Sequence, residues 1–332
     1  MTARTVPPDW RPVIGRDGGR YRLAFRGRDI GSVVSEFTDV GTMLGEAAAT
    51  GVDRLLLSPW ISLVPAEADP ATAREVCEVH NAALAALTAA HPGQLSAVGA
   101  VVLQEPELAA RQIIELVTGY GLAGAEIPAS VGGRYLGDDF FLPFWAAAEH
   151  AGALVFIHPT TRGFGVAALE GYYLWNSVGN PMETAIAAAH MAMAGVLERH
   201  PRLRVVLAHG GGALPVVRGR LRRAFAVRPE AQARLTAGPD AALRRFYYDT
   251  VTHDQDLLAD LVRYAGPGHV LLGSDRPFDM GTDDPVGEVR ALGLGPAEES
   301  VLGGTAAALL GTPGACRRPP GPRRPRRSRG GR

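Results

Sequence analysis

The stretch Leu203–Arg220, LRVVLAHGGGALPVVRGR, decides how the rest of the chain is read. Leu203, Val205, Val206 and Leu207 form a short, β-branched apolar run, the pattern of a strand buried on both faces. The run ends at His209. Three glycines follow, and from Ala213 a helical pattern begins with Pro215 in its first turn, where a missing N–H costs nothing. His209 therefore stands where a buried strand breaks into a helix, beside glycines that permit φ > 0 and leave room for another molecule. Taken alone, such a histidine reads first as a cap on the following turn.

The arrangement recurs, which changes that reading. Ala153–Ile157 runs into His158-Pro159, and His269–Gly273 runs into Ser274-Asp275-Arg276-Pro277. Each apolar run delivers one ionisable side chain and then a breaker. In a parallel barrel the carboxyl ends of the strands share one face, the face that carries active sites. His158, His209 and Asp275 are thus expected to converge there.

Working outward, strand and helix alternate. Strands are expected at Val52–Ser58, Leu95–Leu103, Leu122–Ile127, Ala153–His158, the His209 unit, Arg245–Thr252 and His269–Asp275. Helices are expected from Val40 to Thr50, over Pro70–Ala90, Glu105–Tyr120, Leu142–Ala151, Met182–Arg199 and Asp254–Tyr264, and near Pro296–Leu310. Seven repeats imply a parallel sheet wrapped by helices, an α/β fold of the (β/α)₈ TIM-like barrel type with its first strand truncated or degenerate. Residues 38–311 would form this barrel. Residues 1–37, with Pro7, Pro8, Pro12 and several glycines, read as an irregular segment carrying one small hairpin, and only residues 1–6 are available for the first strand. Residues 312–332 hold eight arginines and cannot bury a core, so a disordered tail is expected there.

Composition bounds the function. Lys+Arg equals Asp+Glu, so no polyanionic partner is expected and nucleic acid is disfavoured. Two cysteines, Cys77 and Cys316, cannot make a disulfide framework, which points to a reducing, cytoplasmic setting. No apolar run is long enough to span a bilayer, and the start lacks a signal-peptide core.

Imidazole and carboxylate suit Zn²⁺ or a similar divalent ion, and a catalytic site of that kind takes three protein ligands and an open position. His158 and Asp275 are suitable ligand types, and His209 suits acid–base work because imidazole titrates near neutrality. Arg220 could grip a substrate carboxylate with its planar fork or be a solvated helix residue. Tyr172, Tyr173, Trp175 and Asn176 lie in the long loop after His158, where they either wall an aromatic pocket or pack the loop down. Glu126 reads as an interior barrel group, and Asp254 as a helix N-cap. His80, His150, His190 and His200 fall on helices or their ends, where surface or core roles are expected.

The ordered motifs LVFIHP, LAHGGGALP with its trailing GR, YYDTVTHD and LLGSDRPF resemble the amidohydrolase-related family that includes aminocarboxymuconate semialdehyde, resorcylate and methylsalicylate decarboxylases. The resemblance covers roughly residues 6–311. It implies a distorted (β/α)₈ barrel, one divalent metal (Zn or Mn), and a decarboxylase (carbon–carbon lyase) or hydrolase acting on a small aromatic or dienyl carboxylate. It further implies that His158 binds metal, that Asp275 is a ligand or proton shuttle, and that His209 is catalytic. Arg220 matches an arginine that binds the substrate carboxylate and, in some members, completes the site of a neighbouring subunit, so a homodimer is expected. One departure stands out: Thr2 and Arg4 occupy the register of the family's first-strand His-x-His. Neither replaces an imidazole, since a hydroxyl is a poor ligand and a guanidinium has no lone pair. From these ligands alone the expectation is weak metal binding, with a metal-free, inactive paralogue or small-molecule binding protein as the rival reading.

Overall fold

The computed structural model describes residues 6–17, 20–33, 37, 39–160 and 165–311. Thr2, Arg4 and the arginine-rich tail lie outside the described residues. Among the described residues no helix is long and apolar enough to cross a membrane.

The chain begins with three antiparallel strands, β1 (Val13–Asp17), β2 (Arg20–Phe25) and β3 (Arg28–Val33), in the order β1-β2-β3. The single hairpin expected here is therefore corrected to a three-stranded meander. Alternation in YRLAF puts Leu23 and Phe25 on one side, where both are buried against Trp10, Phe37, Trp60 and Leu63.

Seven parallel segments follow. They are β4 (Leu55–Leu57), a strand broken into β5 (Leu95–Ala97) and β6 (Gly99–Ala100), β7 (Gly124–Pro128), then, after the small hairpin β8 (Ser130–Val131) and β9 (Arg134–Tyr135), β10 (Leu154–His158), β11 (Arg204–Leu207), β12 (Tyr247–Asp249) and β13 (Val270–Leu271). The parallel pairs run β4-β5 and β6-β7-β10-β11-β12-β13, each strand beside its sequence neighbour, as in a barrel. Val155, Ile157, Val205, Leu207 and Val270 face the helices and join the main core, while Leu154, Phe156, Val206, Tyr247 and Leu271 fill the inside with Leu309 and Leu310 of the last helix.

Several expected elements prove shorter or divided: Val52–Ser58 keeps Leu55–Leu57, Arg245–Thr252 keeps Tyr247–Asp249, and the final helix runs Thr305–Leu310. Leu95–Leu103 is not one strand, because it changes partner at Val98. β5 pairs with β4, β6 pairs with β7, and the side chain of Asn81 accepts from Ala100 N (2.7 Å) and donates to Ala100 O (3.0 Å) in place of ladder bonds. The helix expected over Met182–Arg199 runs Asn180–Met193 and restarts at Val196–Arg199, separated by Gly195 at φ 71°. The last strand keeps only Val270–Leu271, because Pro267–His269 forms a 3₁₀ turn before it. The helices at Pro70–Ala90 and Leu142–Ala151 lie where the pattern places them. Asp254 caps the helix Gln255–Ala265 by accepting from Leu257 N at 2.8 Å.

At the His209 turn, Gly210, Gly211 and Gly212 all have positive φ. Gly212 is the one most tightly held. A Cβ there would lie 2.2 Å from the Pro181 carbonyl, so only glycine lets the helix Leu214–Val227 start against the helix Asn180–Met193.

Candidate metal centre

His158 is the last residue of β10, His209 follows β11 by one residue, and Asp275 lies just beyond β13. The structure brings these three together. One ligand atom from each falls within 4.8 Å of the others, the one such His/Cys/Asp/Glu group of three among the described residues. His209 Nε2 is 3.9 Å from Asp275 Oδ2, and the His158 and His209 rings meet edge-on with centroids 5.0 Å apart.

Local backbone aims these groups. His209 and Asp275 are non-glycine residues at φ 57° and 52°, and His253 nearby is at 55°. Such conformations cost energy and persist only where the surroundings fix them. For His209 the fixing group is Asp249, at the end of β12. Its carboxylate accepts from His209 N at 2.9 Å, Gly210 N at 2.7 Å and Val251 N at 3.0 Å.

Electrostatics follow from burial. His158 is pulled down to about 4 by burial, and His209 to about 3 by burial and then by His158 and His253, so both rings are neutral at neutral pH. Burial, with Asp249 and Asp279 adding like charge, raises Asp275 to about 7. Asp249 rises to about 6 because burial outweighs its backbone hydrogen bonds.

This donor set fits a divalent ion. His158 Nδ1 lies 2.8 Å from the Pro159 carbonyl, which holds its proton on Nδ1 and leaves Nε2 as a lone-pair donor. Nδ1 of His209 is buried without a partner. Two neutral imidazoles and one carboxylate, with ligand atoms this close, are what Zn²⁺ or Mn²⁺ takes.

The remaining candidates are spread more widely. Tyr173 donates to Asp279 at 3.1 Å and lies edge-on to Trp175 with ring centroids 5.0 Å apart, so the loop after β10 is tied to the loop carrying Asp275. Trp175 and Asn176 are partly buried in the turn Trp175–Gly179. Tyr172 is 96% exposed and walls nothing. Arg220 is exposed on the helix Leu214–Val227 and has no hydrogen-bond or ion-pair partner among the described residues. His190 accepts from Gly137 N and His200 pairs with Glu149, both remote from the triad in the fold's outer layer. Sequence reasoning gave Asp249 no role, although an acid closing the run Tyr247–Asp249 carries the same strand-end signal as His158. It also missed Phe37, Trp60 and Phe278, whose ring centroids lie 5.1–5.5 Å apart beside the site.

A family model described as amidohydrolase (Amidohydro_2) matches residues 43–312. The chain is 29% identical over 295 residues to 2-amino-3-carboxymuconate-6-semialdehyde decarboxylase of Dictyostelium discoideum, covering 88% of this chain and 82% of that protein. Among solved structures, 5-carboxyvanillate decarboxylase of Sphingomonas paucimobilis superposes with a TM-score of 0.76 at 27% identity, over 83% of this chain and 84% of that one. A dihydroxybenzoic acid decarboxylase of Polaromonas sp., solved with bound manganese, shares the fold at a TM-score of 0.73 and 22% identity, over 82% of this chain and 86% of that one. A match over most of the chain, to a model of this kind and to relatives of this kind, places it: the protein belongs to the amidohydrolase family, in the group related to aminocarboxymuconate semialdehyde decarboxylase.

Proposed function

We propose that this protein is a metal-dependent decarboxylase of a small aromatic or dienyl carboxylate. The observation that carries the reading is the convergence of His158, His209 and Asp275 within 4.8 Å at the strand ends of an amidohydrolase barrel. His158 and Asp275 would hold the ion, which supplies a Lewis acid that polarises a substrate oxygen. The chain's own residues do the rest. Asp275 and His209 would form the proton path: the carbon–carbon bond breaks, its electron pair stays on the ring or dienyl carbon and takes a proton that this path draws from solvent, and CO₂ leaves. His209, neutral and 3.9 Å from Asp275, exchanges the proton with it. Trp175 and Asn176 border the substrate, with Tyr173–Asp279 holding their loop in place.

Arg220 is assigned to the substrate carboxylate of a partner subunit in a homodimer. Its solvent exposure on a helix that also exposes Val216 supports this.

The test is CO₂ release by manganese- or zinc-loaded protein from a panel of aromatic carboxylates of the types named for its relatives: aminocarboxymuconate semialdehyde, methylsalicylate, resorcylate and carboxyvanillate. His209→Ala should keep metal and lower kcat by about 10²–10⁴. Absence of CO₂ from every substrate with a metal-loaded protein sinks the decarboxylase reading.

A further inference from the structure

Two buried glutamates are left over by this reading. Glu126, 1% exposed in the middle of β7, leaves Oε2 without a partner. Glu183, fully buried in the first turn of the helix Asn180–Met193, is the opposite case, with both oxygens bonded. Its Oε2 accepts from Thr160 N at 2.7 Å, and Thr160 Oγ1 donates between the two oxygens at 2.7 and 2.8 Å. Oε1 also accepts from Ser130 Oγ at 3.3 Å. Ser130 and Thr160 each stand two residues past a parallel strand, β7 and β10, so one carboxyl fastens two neighbouring strand ends.

Fastening alone does not require an acid. Among the described residues the hydrogen-bond partners of Glu183 are uncharged donors. The N-terminus of its own helix offers only about half a positive charge, and a carboxylate buried without a cation is costly. A glutamine would make the same bonds, its carbonyl taking the Thr160 N–H while the two hydroxyls turn to accept from its NH₂.

What the charge adds lies one peptide further on. The N–H that Oε2 accepts belongs to the Pro159–Thr160 peptide, and the carbonyl of that same peptide accepts from His158 Nδ1 at 2.8 Å. A negative charge against the N–H of a peptide polarises it and makes its carbonyl a stronger acceptor, as in any hydrogen-bonded chain in a low-dielectric interior. The backbone carbonyl of His158 is held from the other side by Ala129 N at 2.9 Å. The row thus runs from carboxylate through peptide to imidazole and ends on the free Nε2 of His158, the residue that meets His209 and Asp275.

We propose that Glu183 is a positioning residue of the metal centre: through the Pro159–Thr160 peptide its charge locks the proton of His158 on Nδ1 and strengthens Nε2 as the atom given to a divalent cation. This rests on the metal-dependent reading above and deepens it. Metal-bound histidines commonly give their other ring proton to a carboxylate or a carbonyl. Here a carbonyl takes the proton and a carboxylate stands behind the carbonyl. An ion at His158 also supplies, at the far end of the row, the positive charge that the partners of Glu183 lack.

The experiment observes the ring of His158 in metal-free protein labelled with ¹⁵N-histidine, and then measures Mn²⁺ affinity by calorimetry. His158→Ala identifies the resonances of His158 by their loss. In the wild type Nδ1 is expected to carry the proton and Nε2 none. Glu183→Gln keeps the shape and the hydrogen bonds and removes the charge, so the Nδ1–H resonance should move upfield and the Nε2–H tautomer should become visible. Its Kd for Mn²⁺ should rise by about 10–100-fold, the loss seen when a group supporting a metal-bound histidine is removed. The melting temperature of this metal-free variant should match the wild type's, since the loop stays fastened. Glu183→Asp, which keeps the charge but withdraws it by one methylene, should lie between, and carries the test if the glutamine variant does not fold. If the His158 resonances and the Kd of these variants equal the wild type's, Glu183 merely pins the loop and the proposal falls. A wild type that binds no manganese at millimolar concentration overturns the metal-dependent reading and this role with it, a failure distinct from the first.

Discussion

At the scale of single residues, Asp249 governs how His209 is presented. Three backbone N–H groups converge on its two oxygens, and two of them belong to the turn that holds His209 at φ 57°. Asparagine offers one carbonyl oxygen and sets an NH₂ against the remaining N–H. Asp249→Asn should therefore lower stability by about 1–3 kcal/mol and kcat/KM by roughly 10–100-fold. Thermal unfolding and steady-state rates measure both, and an unchanged melting temperature would show that the turn holds itself. Asp275 supplies a pH dependence whose sign can be worked out. Its pKa in the metal-free protein is raised to about 7, so below that pH an incoming ion must displace a proton and above it need not. Affinity should fall as pH drops below about 7, by about tenfold per pH unit for each proton displaced, and the Asp275 contribution should level off above. His158 and His209, held at about 4 and 3, stay neutral through this window and add no slope. Calorimetry at pH 6 in two buffers of different ionisation enthalpy counts the protons. Constant affinity from pH 5.5 to 7.5 would contradict the assignment of Asp275 as ligand.

At the scale of elements, the helix Leu214–Val227 turns Val216, Arg220, Arg223 and Val227 outward at spacings of three and four residues, with Val216 73% and Val227 47% exposed. If this face meets a second copy, Val216→Glu should convert a dimer into a monomer while changing the protomer's own stability by no more than about 0.5 kcal/mol, since the side chain is already in solvent. Light scattering at micromolar concentration decides it, and a wild-type monomer would remove the role proposed for Arg220. The elements also explain what could be read in advance. His158, His209 and Asp275 were legible because each closes an apolar run and precedes a breaker, a signal confined to a few adjacent residues. The break at Val98 was not, because the apolar run continues unchanged while Asn81, distant in sequence, supplies the bonds of Ala100. Nor was the restart of the helix after Gly195, which sits in an alanine-rich pattern without proline. The fixing of His209 by Asp249 links residues forty apart, and a lone glutamate in an apolar strand carries no spacing that reveals whether its oxygens find partners. Local chemistry announces strand ends; partner switching and orphaned atoms exist only in three dimensions.

At the scale of the whole molecule, the parallel strands among the described residues run in a row whose two ends, β13 and β4, are not hydrogen-bonded to each other. The gap is bridged near the site by side chains. Phe278, three residues past Asp275, packs at a tilt against Trp60 beyond β4 and edge-on against Phe37 beyond the N-terminal sheet. A metal ion would tie β10 to the loop after β13, which supply its proposed ligands His158 and Asp275. These groups meet only in the folded barrel, so the ion binds the native state and not the unfolded chain. Free metal at a hundred times its Kd then stabilises the protein by about 2.7 kcal/mol. For a chain of this size that corresponds to a rise in melting temperature of roughly 5 °C, reversed by chelation. Scanning calorimetry with and without manganese gives the shift directly. In His158→Ala the rise should be lost at the same metal concentration because the ion no longer binds there. A melting temperature that ignores both manganese and chelator would mean that His158 and Asp275, however close, do not hold an ion between them.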